Sequence, residues 1–165
     1  MRPVWYTDGA CSGNGNVDAV GGWAAICIDE TTGNLLQVNA GKAQGTTNNR
    51  MEMTAIIYAL KQGYKDANHL LIIRSDSAYA VNTFNIWMYN WANNNWLKSD
   101  NKVPENLDLV KEFYSFITTH DVFFDLQKVK GHSNDKWNNY VDALATGKLT
   151  IEQLKQMENI YGETN

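Results

Sequence analysis

The chain has 165 residues, 44% of them hydrophobic, which suits one domain with a full core. Charged residues make up 19% and aromatics 12%, with six Trp and eight Tyr, which excludes a disordered chain. The net charge of −4 argues against a partner held by bulk positive charge, and no apolar run approaches the length of a membrane span.

In chain order, "VWYTDGACSGNG" predicts a strand over 4–7 that runs into a Gly-rich turn. "GGWAAICIDE" and "NLLQVNAGKA" predict two more strands, joined by the hairpin punctuation "TTGN". A first helix is expected over 49–62, with Met53, Ile56, Ile57 and Leu60 as its core stripe and Gly63 at its exit. "LLIIRSD" has four consecutive apolar residues, the mark of a strand buried on both faces, parallel and central. A helix is expected from Ser77, then a Trp-rich helical stretch over 85–91. "NLDLVKEFYSFITTH" is amphipathic, with Leu107, Val110, Phe113 and Ile117 at helical spacing. "DVFFDLQKVKGH" reads as a fifth strand and "NNYVDALATGK" as a helix. Early strands joined by hairpin and later ones by helical crossover imply an α/β fold, a mixed sheet with helices packed on it. Beyond residues 1–148, the segment 149–165 is a helical appendix rather than a domain. Thr150 and Gln153 there form a capping-box pattern.

Cys11 and Cys27 make no close-spaced metal or redox motif and no disulfide framework. The opening "MRPVWYTDGA" lacks the apolar segment of a signal peptide. A cytoplasmic monomer without a membrane or an obligate protein partner is the expectation.

The stretch "TTNNRMEM" raises a chemical question. Asn49 is placed to cap the helix, with Glu52 reaching back to it. Yet Ile56 and Leu60 lie four and eight residues after Glu52, so the acid shares their apolar side. A buried carboxylate needs a positive partner, and Arg50 is the nearest basic residue. Three more acids stand in half-buried places. Asp8 follows the first strand, Asp76 follows the buried one, and Asp142 sits in the apolar run "YVDALA". If the four converge, their repulsion raises their pKa values or calls for cations. Mg²⁺ suits such a set: it prefers oxygen ligands and keeps positions for water and phosphate.

"YTDGACSGN", "TTNNRME", "RSDSAYAVN", "VPENLDL", "KVKGHS" and "NNYVDALA", in that order over about residues 3–147, resemble ribonuclease H of type 1. The resemblance implies the ribonuclease H fold: a five-stranded mixed sheet, its first three strands antiparallel, flanked by helices. It implies hydrolysis of the RNA strand of RNA–DNA hybrids, leaving 5′-phosphate and 3′-hydroxyl ends. Asp8, Glu52, Asp76 and Asp142 match the metal-binding acids of that family, and His132 its loop histidine. Two Mg²⁺ ions, with Mn²⁺ as a substitute, are implied about 4 Å apart. Asp8 bridges both ions in that scheme. Asp142 helps hold the one that activates water, and Glu52 and Asp76 the one at the leaving oxygen.

Substrate contacts are implied too. The turn "ACSGN" meets the RNA backbone through Cys11 and Asn14, and Asn48 and Asn49 reach base edges. Thr47 and Asn106 match a pocket for a DNA phosphate, and Trp87 an aromatic that packs on deoxyribose. Trp91, four residues on, reads as core packing. Two departures stand out. Gly45 replaces a frequent Arg, which weakens the phosphate pocket, and Ala92, Asn93 and Asn94 stand where many bacterial members carry a basic protrusion. The alternatives are a hybrid-binding module with weak catalysis, or a nuclease of the same fold acting on DNA.

Overall fold

The structure is a computed structural model that describes residues 1–66, 70–131 and 134–158. Five strands form one sheet: β1 (Pro3–Ser12), β2 (Val20–Asp29), β3 (Asn34–Gln44), β4 (Leu71–Ser75) and β5 (Phe124–Lys128). Their order across the sheet is β3-β2-β1-β4-β5. β1, β2 and β3 pair antiparallel, whereas β4 runs parallel to both β1 and β5. This is the expected mixed sheet.

β1 is longer than its apolar run implied. Its pairing with β2 continues to Ser12, so Asp8 lies inside the strand and does not end it. The reason is that hydrogen bonding to a neighbouring strand needs no apolar side chain, and Gly9 to Ser12 stay in register with Val20 to Trp23.

Helices cover both faces. On one lie α1 (Asn48–Asp66) and α4 (Leu107–His120). Between them in sequence come α2 (Ala78–Asn82), a π-helical turn (Thr83–Trp87) and α3 (Met88–Ala92). Trp5, Met53, Ile56, Ile57, Leu60, Leu71, Ile73, Phe84, Val110 and Phe113 fill that side. On the other face α5 (Lys136–Ala145) and α6 (Ile151–Met157) cover Val4, Tyr6, Ile26 and Ile72. Alternate residues of β1 and β4 therefore enter opposite cores, which is why Leu71 to Ile73 are apolar without a break; Leu70, before the strand, is exposed.

Two boundaries of α1 differ from the sequence reading. Its cap is Thr47, whose Oγ1 accepts from Arg50 N at 3.1 Å. Gly63 is interior, three residues short of the helix end. A Cβ there would overlap the Leu71 side chain, so the glycine is spent on close packing against β4 rather than on a turn. α6 starts with the expected capping box of Thr150 and Gln153, and its Leu154 is fully buried in the second core.

Candidate active site

Register brings two of the acids together. Thr7 pairs with Ser75 as the last rung between the parallel strands β1 and β4. Asp8 and Asp76 are the next residues along the chain, so they meet at the carboxyl end of the pairing, where open α/β sheets commonly bind ligands. Glu52 comes from the first turns of α1, which lies directly on Gly9. A Cβ on Gly9 would overlap the Glu52 amide nitrogen and the Met51 carbonyl carbon. Only a residue without a side chain lets the helix start this close to the strand.

Carboxylate oxygens of Asp8, Glu52 and Asp76 lie within 4.8 Å of one another. Asp8 and Glu52 are 4% and 8% exposed. Asp142, half-buried on α5, stands outside this group of three, but its charge reaches Asp8 and opposes its ionisation. Burial first, then the charges of Asp76 and Asp142, push Asp8 up to about 7 against a hydrogen bond with Glu52. Burial, then the bond and charge of Asp8, push Glu52 up to about 11. Burial and mutual repulsion thus favour the protonated form of this pair in the protein without metal.

Arg50 does not supply the missing charge. It forms a two-pronged ion pair with Asp108 at 3.0 and 2.8 Å and reaches Asn106 Oδ1 at 3.3 Å. Glu52 Oε2 is left buried with no hydrogen-bond partner among the described residues. An all-oxygen donor set with an orphaned buried oxygen fits a hard divalent cation. The question posed by "TTNNRMEM" is answered by position: Glu52 faces the other acids, not a basic side chain.

The other expected residues fall on two rims beside the acids. Asn14 Oδ1 accepts from Asn48 N at 2.8 Å, and Cys11 Sγ lies 3.4 Å from the Thr46 carbonyl oxygen. The turn after β1 is thereby tied to the start of α1, where Asn48 is exposed and Asn49 half-buried. On the second rim Thr47 and Asn106 are linked through Arg50, and Asn106 Nδ2 donates to Tyr79 Oη at 3.1 Å. Trp87 is 38% exposed, with its ring centroid 6.1 Å from that of Tyr79, whereas Trp91 packs on the core. His132 lies outside the described residues. Gly131 before it runs beside Asp76, since a Cβ there would stand 3.0 Å from Asp76 Oδ2. Sequence reasoning missed Gly9 and the approach of Gly131 to Asp76; the adjacency of glycine to Asp8 in "TDG" was the available signal for the first.

A model of the RNase H family matches residues 2–150. The Ribonuclease H of Thermoanaerobacter sp. (strain X514) is 42% identical over 145 residues, 87% of each chain. Among solved structures, "LC9-RNase H1, a type 1 RNase H with the type 2 active-site motif" is similar over 88% of this chain and 70% of its own. It has a TM-score of 0.71 and 24% identity. The foamy viral protease-reverse transcriptase in complex with RNA/DNA hybrid is similar over 88% of this chain and 19% of its own, with a TM-score of 0.73 and 18% identity. The last two establish likeness of fold.

Proposed function

The chain belongs to the ribonuclease H family, and from that premise we propose that it is an endoribonuclease cutting the RNA strand of RNA–DNA hybrids. The observation that carries the reading is the convergence of Asp8, Glu52 and Asp76 where the β1–β4 pairing ends, with one buried Glu52 oxygen unpartnered among the described residues. We assign Asp8, Glu52, Asp76 and Asp142 to hold divalent metal, with Mg²⁺ as the ion and Mn²⁺ as a substitute. Bound ions activate water and stabilise charge on the phosphodiester, the general chemistry of paired metals. The protein's own part is to fix the acids. β1 and β4 set Asp8 and Asp76 by register, and Gly9 admits Glu52. His132, outside the described residues, is assigned to assist proton movement or product departure.

The two rims fit the two strands of a hybrid. Cys11, Asn14, Asn48 and Asn49 line the side proposed for RNA, where backbone and side-chain amides read a 2′-hydroxyl. Thr47, Asn106 and Trp87 line the side proposed for DNA. Arg50 stands between Thr47 and Asn106, but Asp108 matches its charge, so this pocket offers hydrogen bonds more than net charge. Among the described residues no helix is long and apolar enough to cross a membrane. A monomer in the cytoplasm is the proposed setting.

The test is cleavage of a labelled RNA–DNA hybrid with Mg²⁺, beside RNA and DNA duplexes. Hybrid-specific cleavage giving 5′-phosphate ends is expected, with Asp8→Asn inactive yet folded. Cleavage of duplex DNA in preference, or an active Asp8→Asn variant, overturns the assignment.

A further inference from the structure

Beneath α5 the sheet carries a second polar network that the cleavage reading does not use. Tyr6, 4% exposed, points from β1 toward α5. Its hydroxyl accepts from Arg74 Nη1 at 2.8 Å and donates to Asp135 Oδ2 at 3.2 Å. Arg74 is itself fixed by Glu30 Oε2 at 2.7 Å and Gln127 Oε1 at 3.0 Å. Asp135 is the N-cap of α5: its Oδ1 accepts from Trp137 N at 2.9 Å and Asn138 N at 3.4 Å. Asn138, 3% exposed, reaches back to the Lys130 carbonyl at 3.4 Å.

Each member of this chain lies close in sequence to one of the acids. Arg74, on β4, is two residues before Asp76, Tyr6 is two before Asp8 on β1, and Asp135, the cap of α5, is seven before Asp142. Apolar packing of Trp137, Val141 and Leu144 presses α5 onto the sheet but is non-directional. A cap alone orders the first turn of a helix without saying where the helix sits. The second oxygen of the same carboxylate does that here, through one hydroxyl held between a cation and an anion. Such charge-assisted bonds are short and directional.

We propose that the Arg74–Tyr6–Asp135 chain is a positioning device that sets Asp142 against Asp8 and Asp76. The inference rests on Asp142 being one of the catalytic acids. Tyr6 and Asp135 are positioning residues: neither reaches the reacting atoms.

The experiment compares Tyr6→Phe, Asp135→Asn, the double variant and Asp142→Asn in kcat and KM for a hybrid. It also measures amide hydrogen exchange in the metal-free protein. Tyr6→Phe should lower kcat by about tenfold, the low end for losing a partner that orients a metal ligand, with KM changed less than about twofold. Exchange should quicken in α5 and stay unchanged in α1. Asp135→Asn keeps a capping oxygen but turns its amide nitrogen toward Tyr6, so the Tyr6 O–H loses its charged acceptor and a loss in the same direction is expected. The double variant should be no slower than the slower single, because both changes cut one chain. A Tyr6→Phe protein with parental kcat and parental exchange in α5 overturns the proposal, as do losses that multiply in the double variant. If Asp142→Asn is inactive in that case, only the positioning role falls. If Asp142→Asn is fully active, the catalytic reading of Asp142 falls and takes this inference with it.

Discussion

Gly9 and Glu52 are in backbone contact: the first turns of α1 rest on β1 where a Cβ on Gly9 would overlap the Glu52 amide nitrogen. The glycine next to Asp8 therefore fixes the distance between Asp8 and Glu52. Gly9→Ala should push α1 outward, destabilising the fold by about 1–3 kcal/mol, the usual cost of overpacking. Hybrid cleavage should fall more than stability at the assay temperature accounts for. Urea melts and steady-state kinetics on the one variant check both, and a fully active, fully stable Gly9→Ala protein would show that α1 can shift without harm.

Acid repulsion gives the metal-free protein a pH signature. Asp8 rises from 3.8 to about 7 and Glu52 from 4.5 to about 11 on folding, chiefly through burial. Raised carboxyl pKa values mean that the folded state holds protons the unfolded chain releases. Their stabilising contribution is thus complete below about pH 4 and is lost as pH rises, through about 7 for Asp8 and on toward about 11 for Glu52. Melting temperature in a chelator should fall between pH 5 and about 8 more steeply for the parent than for Glu52→Gln, which cannot ionise. Adding Mg²⁺ should flatten the parent's slope. Parallel curves for the two proteins would remove Glu52 from the account.

Residues 149–158 complete a core rather than hang from it. Leu154 is fully buried with Val141 and Leu144, and Glu158 receives the Tyr140 hydroxyl at 3.1 Å and Lys136 Nζ at 3.1 Å. Leu154→Ala should cost about 2–5 kcal/mol in denaturant melts, as buried Leu truncations do. Its kcat below the melting range should stay near parental, since none of the four site acids sits on α6. A loss under 1 kcal/mol would mark the helix as dispensable.

The uncharged segment Ala92 to Asn94, at the end of α3, should limit hybrid affinity. Asn94 already serves the turn, its amide donating to the Leu97 carbonyl at 3.0 Å, so lysines belong only at Ala92 and Asn93. Each phosphate neutralised adds roughly 0.9 to the slope of log affinity against log salt. The Ala92→Lys/Asn93→Lys protein should show a lower KM at low salt, a steeper salt slope and an unchanged kcat. A salt series that superimposes on the parent's would place this segment away from the hybrid.

The element order, the two-faced burial of Leu71 to Ile73, the core stripes of α1 and α4, and the acids as candidates are legible in the sequence. These are periodic or local signals, and burial preserves them because each side chain must suit the face it lands on. The sequence did not determine how far β1 runs, because strand pairing past Thr7 is set by a neighbour's backbone. Gly63 carried a helix-end signal locally, while its use against Leu71 is a contact between distant segments. Arg50 was the nearest cation to Glu52 along the chain, yet Asp108, fifty-eight residues away, holds it. Tyr6, Arg74 and Asp135 bear no mark in sequence at all, since their bonds exist only once β1, β4 and α5 are stacked. Proximity in sequence orders side chains within an element. Which charge meets which across elements is decided by register and by the few glycines that let backbones touch.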